Sequence, residues 1–258
     1  MTLNRTGAGS PSTTLALLWG LSDEAPRRKG PARSVTVAQV VEAALTLADE
    51  QGLAALTMRA VAERVGISTM SVYTYVPGKP ELLDLMVDAL YARMERGAFD
   101  GESWRERVST VAEENRMLLL QHPWMTEVAA LSRPPLGPGL MAKYEHELAA
   151  FDDTGLSDVD MDAALTWVLG FVQAHCRAVH DARRATTDTA MSDAEWWRAN
   201  QPILARAFDP EKYPRAVRVG AAAGEAQGSA WNEEPAWEFG LARTLDGLAA
   251  LIDGRSLT

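Results

Sequence analysis

The segment from Thr57 to Leu83, TMRAVAERVGISTMSVYTYVPGKPELL, leaves little choice of local structure. Met58, Val61, Ala62 and Val65 recur at spacings of three and four, which places them on one face of a helix. Thr57 stands where a hydroxyl can accept an orphan backbone N–H of the first turn. Gly66 stands where a left-handed residue ends a helix at least cost. Ile67 follows as an apolar plug, and Ser68 is placed to cap a second helix whose buried side is Val72 and Val76. Pro77-Gly78 breaks that helix, and Pro80 falls in the first turn of a third, where its missing N–H costs nothing. Two short amphipathic helices around a Gly-led turn, with a third behind a Pro-Gly break, spell a helix-turn-helix.

The outward side of the second helix is Thr69, Met70, Ser71, Tyr73, Thr74 and Tyr75. A short helix carrying small hydroxyls, a Met and two Tyr suits the major groove of duplex DNA. Ser and Thr bond several base edges and Met70 can meet a thymine methyl, whereas Tyr73 and Tyr75 can bond phosphates and so position rather than specify. Arg, Lys, Asn and Gln, the bidentate base readers, are missing from this helix. Lys79 at the start of the third helix joins its cation to free backbone N–H groups, a phosphate-binding arrangement. Upstream, residues 36–51 read as a helix with Val37, Val40, Val41, Ala44, Leu45 and Ala48 inward, closed by Gly52, and Leu53 and Leu56 tuck beneath the hairpin.

Thr57-Met58-Arg59, Val61-Ala62-Glu63, Val65-Gly66-Ile67-Ser68, Val72-Tyr73, Tyr75-Val76, Gly78-Lys79 and Glu81-Leu82-Leu83 together resemble the tetracycline-repressor (TetR) family of transcriptional regulators, over about residues 36–90. The resemblance implies an all-α fold, a homodimer, and release of DNA when a small molecule binds the C-terminal part. Carried over residue by residue, it implies phosphate contacts from Thr57, Arg59, Tyr73, Tyr75 and Lys79, with Thr69, Met70, Ser71 and Thr74 facing the bases; Ser68, the cap of that helix, is counted with the DNA-binding candidates. Repression rather than activation is an expectation from the family alone.

Net charge over the 258 residues is −10, which at first argues against a nucleic-acid partner. The distribution resolves this. Residues 1–80 carry eight Lys/Arg and six Asp/Glu, +2, while residues 81–258 carry 17 and 29, −12. DNA binding needs a local basic surface only. Residues 1–35 read as a flexible basic arm holding a short apolar helix, and Arg28 and Arg33 within it are candidate contacts to the neighbouring minor groove or backbone. LALLWGL, 15–21, is too short to span a bilayer and lacks the features of a signal peptide. Cys176 is the only cysteine, so no intrachain disulfide can form, and a reducing cytoplasm is the expected compartment.

The expected division is therefore an arm (1–35), a three-helix DNA-binding domain (36–81) and a helical ligand-binding and dimerisation domain (82–258). Helical periodicity runs through 82–96, 104–121, 124–131, 140–151, 160–184, 194–208 and 237–252, while 209–235, rich in Gly, Ala and Pro, reads as a mobile loop. Seven of the eight Trp lie beyond the reader. Met117, Leu120, His122, Trp124, Met125, Trp167, Phe171, His175 and Trp196 have the composition of a small-molecule cavity with a few orienting polar groups. Leu165, Leu169, Val172 and Cys176 on one helix, and Leu241, Leu245, Leu248 and Ile252 on the last, form stripes suited to a four-helix bundle between two subunits.

Enzyme signatures fail on inspection. His146-Glu147 opens like a zinc-protease helix, but the second His position is Ala150. Asp158, Asp160 and Asp162 begin like a calcium loop whose sixth and twelfth positions are Ala163 and Leu169. No phosphate loop, dinucleotide fingerprint or nucleophile elbow is present. The expectation is a ligand-responsive repressor of a palindromic operator, with neither cofactor nor metal, whose partners are duplex DNA, a small largely apolar effector and a second copy, but no membrane. The alternative is a helical small-molecule-binding or enzyme-like protein with a non-functional helix-turn-helix.

Overall fold

The computed structural model describes residues 5–21 and 35–255, and among these every regular element is a helix. They are α1 (Pro11–Leu18), α2 (Val37–Gln51), α3 (Met58–Val65), α4 (Thr69–Val72), α5 (Lys79–Arg93), α6 (Trp104–Gln121), α7 (Met125–Val128), α8 (Pro138–Ala149), α9 (Asp158–Thr189), α10 (Asp193–Ala207), α11 (Pro214–Gln227) and α12 (Glu233–Arg255).

The reader forms as its sequence dictates. Thr36 and Gln39 close a reciprocal capping box at the start of α2. The Thr57 hydroxyl accepts the Ala60 amide at 3.1 Å, and Gly66 takes φ +78° while its N–H and that of Ile67 close back on Ala62 O. Leu56, Val61, Val72 and Val76 from the reader meet Leu82, Leu83, Met86 and Val87 of α5, all fully buried. Each such side chain contributes about 1.5–3 kcal/mol relative to exposure, so α5 is as much part of the reader's core as α2 or α3.

The opposite side of α5 is acidic. Glu81, Asp84 and Asp88 are buried, and no Lys or Arg pairs with them among the described residues. Backbone amides satisfy them instead. Glu81 accepts Ser10 N–H at 3.0 Å and Asp84 accepts Gly7 N–H at 2.9 Å. Asp88 accepts Gly139 and Leu140 N–H at 3.1 and 2.8 Å, capping the α8 N-terminus. The segment before α1 also pairs Thr6 N with Val128 O, and the Thr6 hydroxyl with Ala130 N, each at 3.0 Å; beyond α1, Trp19 Nε1 bonds Leu136 O at 2.9 Å. The 15–21 stretch therefore packs on its own subunit, with the helix itself at Pro11–Leu18.

Most predicted helices stand within a few residues of their expected ends. The exception is 209–235, where Pro214 opens and left-handed Gly228 closes α11. The Gly and Ala that argued for a loop include an Ala221–Ala223 run of the best helix formers, and Gly224 lets α11 lie against Trp197 of α10, since an added Cβ would meet that indole at 2.7 Å.

Two tests follow from α5. A Cβ at Gly139 would lie 2.0 Å from Asp88 O, whereas one at Gly170 meets nothing. Gly139→Ala is expected to cost about 1–3 kcal/mol and to lower Tm by several degrees, while Gly170→Ala, with no such obstacle, holds or raises it. Burial pushes the Asp84 carboxyl up to about 6, despite the Gly7 amide pulling it down. A folded pKa above the unfolded one means this group's stabilising protonation is complete below about pH 4 and lost as pH rises through about 6. Asp84→Asn keeps an acceptor for Gly7 and removes the buried charge. Urea unfolding should show a gain of about 1–2 kcal/mol at pH 7.5 that vanishes towards pH 4.

Candidate nucleic-acid interface and ligand cavity

α4 is a single turn, continued by bonds from Tyr75 and Val76 amides to Val72 O. The Ser68 hydroxyl accepts the Ser71 amide at 3.1 Å. Val72 and Val76 are sealed, while Met70 (77 % exposed) and Tyr73 (44 %) stand out with Thr74; Thr69, Ser71 and Tyr75 are half-buried. A concave surface gathers Thr57, Arg59, Thr69, Tyr73 and Lys79, five of the candidate contacts, against Leu53 and Leu56. Arg59 extends into solvent and pairs with Glu63 at 2.8 Å. Lys79 differs from expectation: its ammonium turns back to Leu53 O at 3.4 Å, and burial lowers its pKa. Gly78 gives α5 no side-chain cap, and Pro80 in its first turn has no N–H to bond. Arg28 and Arg33 lie outside the described residues.

The reader joins the rest through more than α5. Asp49 on α2 accepts the Trp124 indole N–H at 2.7 Å and contacts His122 Nδ1 at 2.8 Å. Arg93 of α5 pairs with Glu42 of α2.

A cavity of about 260 Å³ opens between α6, α8 and α9 and the 129–136 connection. Leu118, Leu119, Leu131, Leu140, Met141, Leu165, Leu169 and Val172 supply apolar wall, and Tyr91 of α5 forms part of the lining. Inside, Lys143 meets both Glu147 oxygens at 2.6 and 2.7 Å, Asn115 donates to Glu147 at 2.5 Å, and the Lys143 ammonium lies 5.1 Å from the Tyr91 ring centre. Tyr144 donates to Asp162 at 2.8 Å, and Gln173 to Ala129 O at 2.5 Å.

The cavity is not built from the residues chosen for it. Trp124 and Met125 are core at the junction with the reader, and His122 belongs to the Asp49 pair. Met117, Trp167 and Trp196 are largely exposed, and Leu120 packs on the core edge. Phe171 stacks on Trp237 of α12 with ring centres 5.2 Å apart, and His175 meets the same ring at a tilt, 5.1 Å away. Burial lowers the pKa of His175, and Arg116, 4.8 Å from the Trp237 ring, adds to this. The aromatic side chains chosen stand at the reader junction, on the α9–α12 seam or on the surface, and none of them lines this cavity.

The stripes expected to pair subunits mostly face inward. Leu165, Val172, Cys176, Leu245, Leu248 and Ile252 are buried within one chain, Leu241 is half-buried, and Leu165, Leu169 and Val172 line the cavity. Helical spacing gives a face but not its neighbour, so an inward stripe reads the same as an intersubunit one. The exposed large apolar side chains of these helices are Val159 (78 %), Trp167 (66 %), Phe239 (66 %) and Leu251 (38 %). As cavity residues, Asn115, Lys143 and Glu147 escaped the sequence reading, although Lys143 and Glu147 at an i,i+4 spacing on an apolar helix face were its available signal.

A half-exposed α4 on a three-helix head, docked through a shared helix onto a hollow helical body, defines a ligand-regulated DNA reader. Comparison with known proteins agrees. The family model "Bacterial regulatory proteins, tetR family" matches residues 40–86, and "Tetracyclin repressor-like, C-terminal domain" matches 98–252. The chain belongs to the TetR family of transcriptional regulators. It is 37 % identical to the HTH-type transcriptional repressor DrrR1 of Streptomyces coeruleorubidus over 96 % of this chain and 89 % of that one. Among solved structures it is similar to the TetR family protein ActR of Streptomyces coelicolor in complex with actinorhodin (TM-score 0.70, 25 % identity, 84 % of this chain and 97 % of that one). It is also similar to BioQ with its natural double-stranded DNA operator (TM-score 0.51, 27 % identity, 60 % and 93 %).

Proposed function

We propose that the protein is a cytoplasmic, non-catalytic repressor that holds a palindromic operator as a homodimer and leaves it when a small, largely apolar molecule fills the α6–α8–α9 cavity. The observation that carries this reading is the sidedness of α4: Val72 and Val76 anchor it, while Met70, Tyr73 and Thr74 are free to enter a groove. The groove-lining cluster of Thr57, Arg59, Thr69, Tyr73 and Lys79 supplies the flanking polar and cationic groups. Support comes from BioQ, solved with its operator, and from ActR, solved with actinorhodin.

Two heads on one duplex require a dimer that spaces them about one helical turn apart. Trp167 of α9 with Phe239 and Leu251 of α12 offer the apolar face for it. Gly247, where an added Cβ would meet nothing within the chain, permits close helix approach. Tyr91 links cavity to reader, since it lines the former from α5, whose other face is reader core. An occupant that binds one placement of α5 better than another shifts the spacing of the heads, and only by that difference in affinity.

The test is a salt titration on the DNA upstream of the protein's own gene. The logarithm of affinity should fall linearly with the logarithm of salt. Tyr73→Ala with Lys79→Ala should weaken binding by about 10–100-fold and flatten the slope by roughly one per lost ionic contact. Unchanged affinity and slope would remove these residues from the interface.

A further inference from the structure

We infer that the cavity selects apolar molecules that are neutral or carry a basic amine seated against Asp162, and discriminates against acids; this rests on the cavity being the effector site. The inference comes from where its charges stand. The lining holds one Lys, one Glu and one Asp among the described residues, Lys143, Glu147 and Asp162, for a formal sum of −1. Burial pushes the Tyr91 phenol up, so it adds no charge.

The one cation of this lining is already committed. Lys143 and Glu147 are both buried, and the ammonium touches both carboxylate oxygens while Asn115 donates to one of them. An acid reaching for Lys143 would either displace Glu147, leaving a buried carboxylate unpaired, or share one ammonium with it. Removing the partner of a buried charge is among the costliest changes a protein interior can undergo. No arginine and no second lysine among the described residues lines the cavity to offset it.

Asp162 stands at the other extreme. It lines both the cavity and the outer groove beside Trp167, which puts it at the mouth. Its one hydrogen bond among the described residues is from the Tyr144 hydroxyl, and no cation pairs with it there. A ligand amine can therefore meet Asp162 in a charge-assisted hydrogen bond while its apolar body lies along Leu165, Leu169 and Val172.

Three matched probes separate the possibilities: 9-(aminomethyl)anthracene, 9-anthracenemethanol and anthracene-9-carboxylate, titrated by fluorescence at pH 7 into the full-length protein. The amine should bind at least about tenfold more tightly than the carboxylate, as one charge-assisted bond gained against one opposed charge requires. Asp162→Asn should remove about tenfold from the amine while the alcohol reports on the intact cavity. A carboxylate that binds as well as the amine, or an Asp162→Asn variant that leaves the amine's affinity where it was, overturns the inference. Leu169→Trp, which fills the cavity, checks the underlying reading. If no probe binds the parent protein, or binding survives that substitution, the effector site lies elsewhere and both readings fall together; loss of all three probes with the wrong charge order sinks only this one.

Discussion

The arrangement depends on α5 accepting backbone amides from two other parts of the chain. Glu81, Asp84 and Asp88 recur at i, i+3 and i+7, so they share one face, and each is buried without a cation among the described residues. Such carboxylates are tolerated only because N–H groups point at them. Those amides come from the segment ahead of α1 and from the first turn of α8. The other face of α5 is the reader's floor. One helix thus fixes the head to the body by apolar packing on one side and by oriented dipoles on the other, and the second contact sets position more tightly because hydrogen bonds are directional.

This geometry explains why the cavity and the head belong to one system. The 129–136 connection that walls the cavity is held by Thr6 and Trp19, whose segment also bonds Asp84 and Glu81. Tyr91 reaches the cavity from α5 itself. Any movement of α8 or this wall therefore works against hydrogen bonds tied to α5 or to the segment that bonds it.

What was legible in the sequence was local. Thr57, Gly66, Ser68 and Pro80 announce their roles through hydrogen-bond chemistry that needs only near neighbours, and the three-helix head follows from them. Helix positions in the body were legible for the same reason. What escaped was anything decided by which element lies opposite. The α9 stripe of Leu165, Leu169 and Val172 borders a cavity within the chain, and Trp124 and Met125 seal the junction with the reader instead of lining that cavity. Lys79 turned to a carbonyl contributed by Leu53, 26 residues upstream, which no local pattern records. The α11 helix was missed because glycine and proline were weighed as breakers, although Pro214 sits at a helix start and the alanines between are strong formers.

Electron–electron distance spectroscopy on the Thr46→Cys protein, spin-labelled at that exposed position of α2 away from the candidate DNA contacts with buried Cys176 left unlabelled, measures the separation of the two heads on operator DNA. The account predicts one narrow distribution, set by reading helices roughly 34–36 Å apart, one turn of the duplex, that broadens or shifts when a cavity ligand releases the DNA. A monomer with no dipolar signal, or a head separation that no single face of a duplex can accommodate, would contradict it.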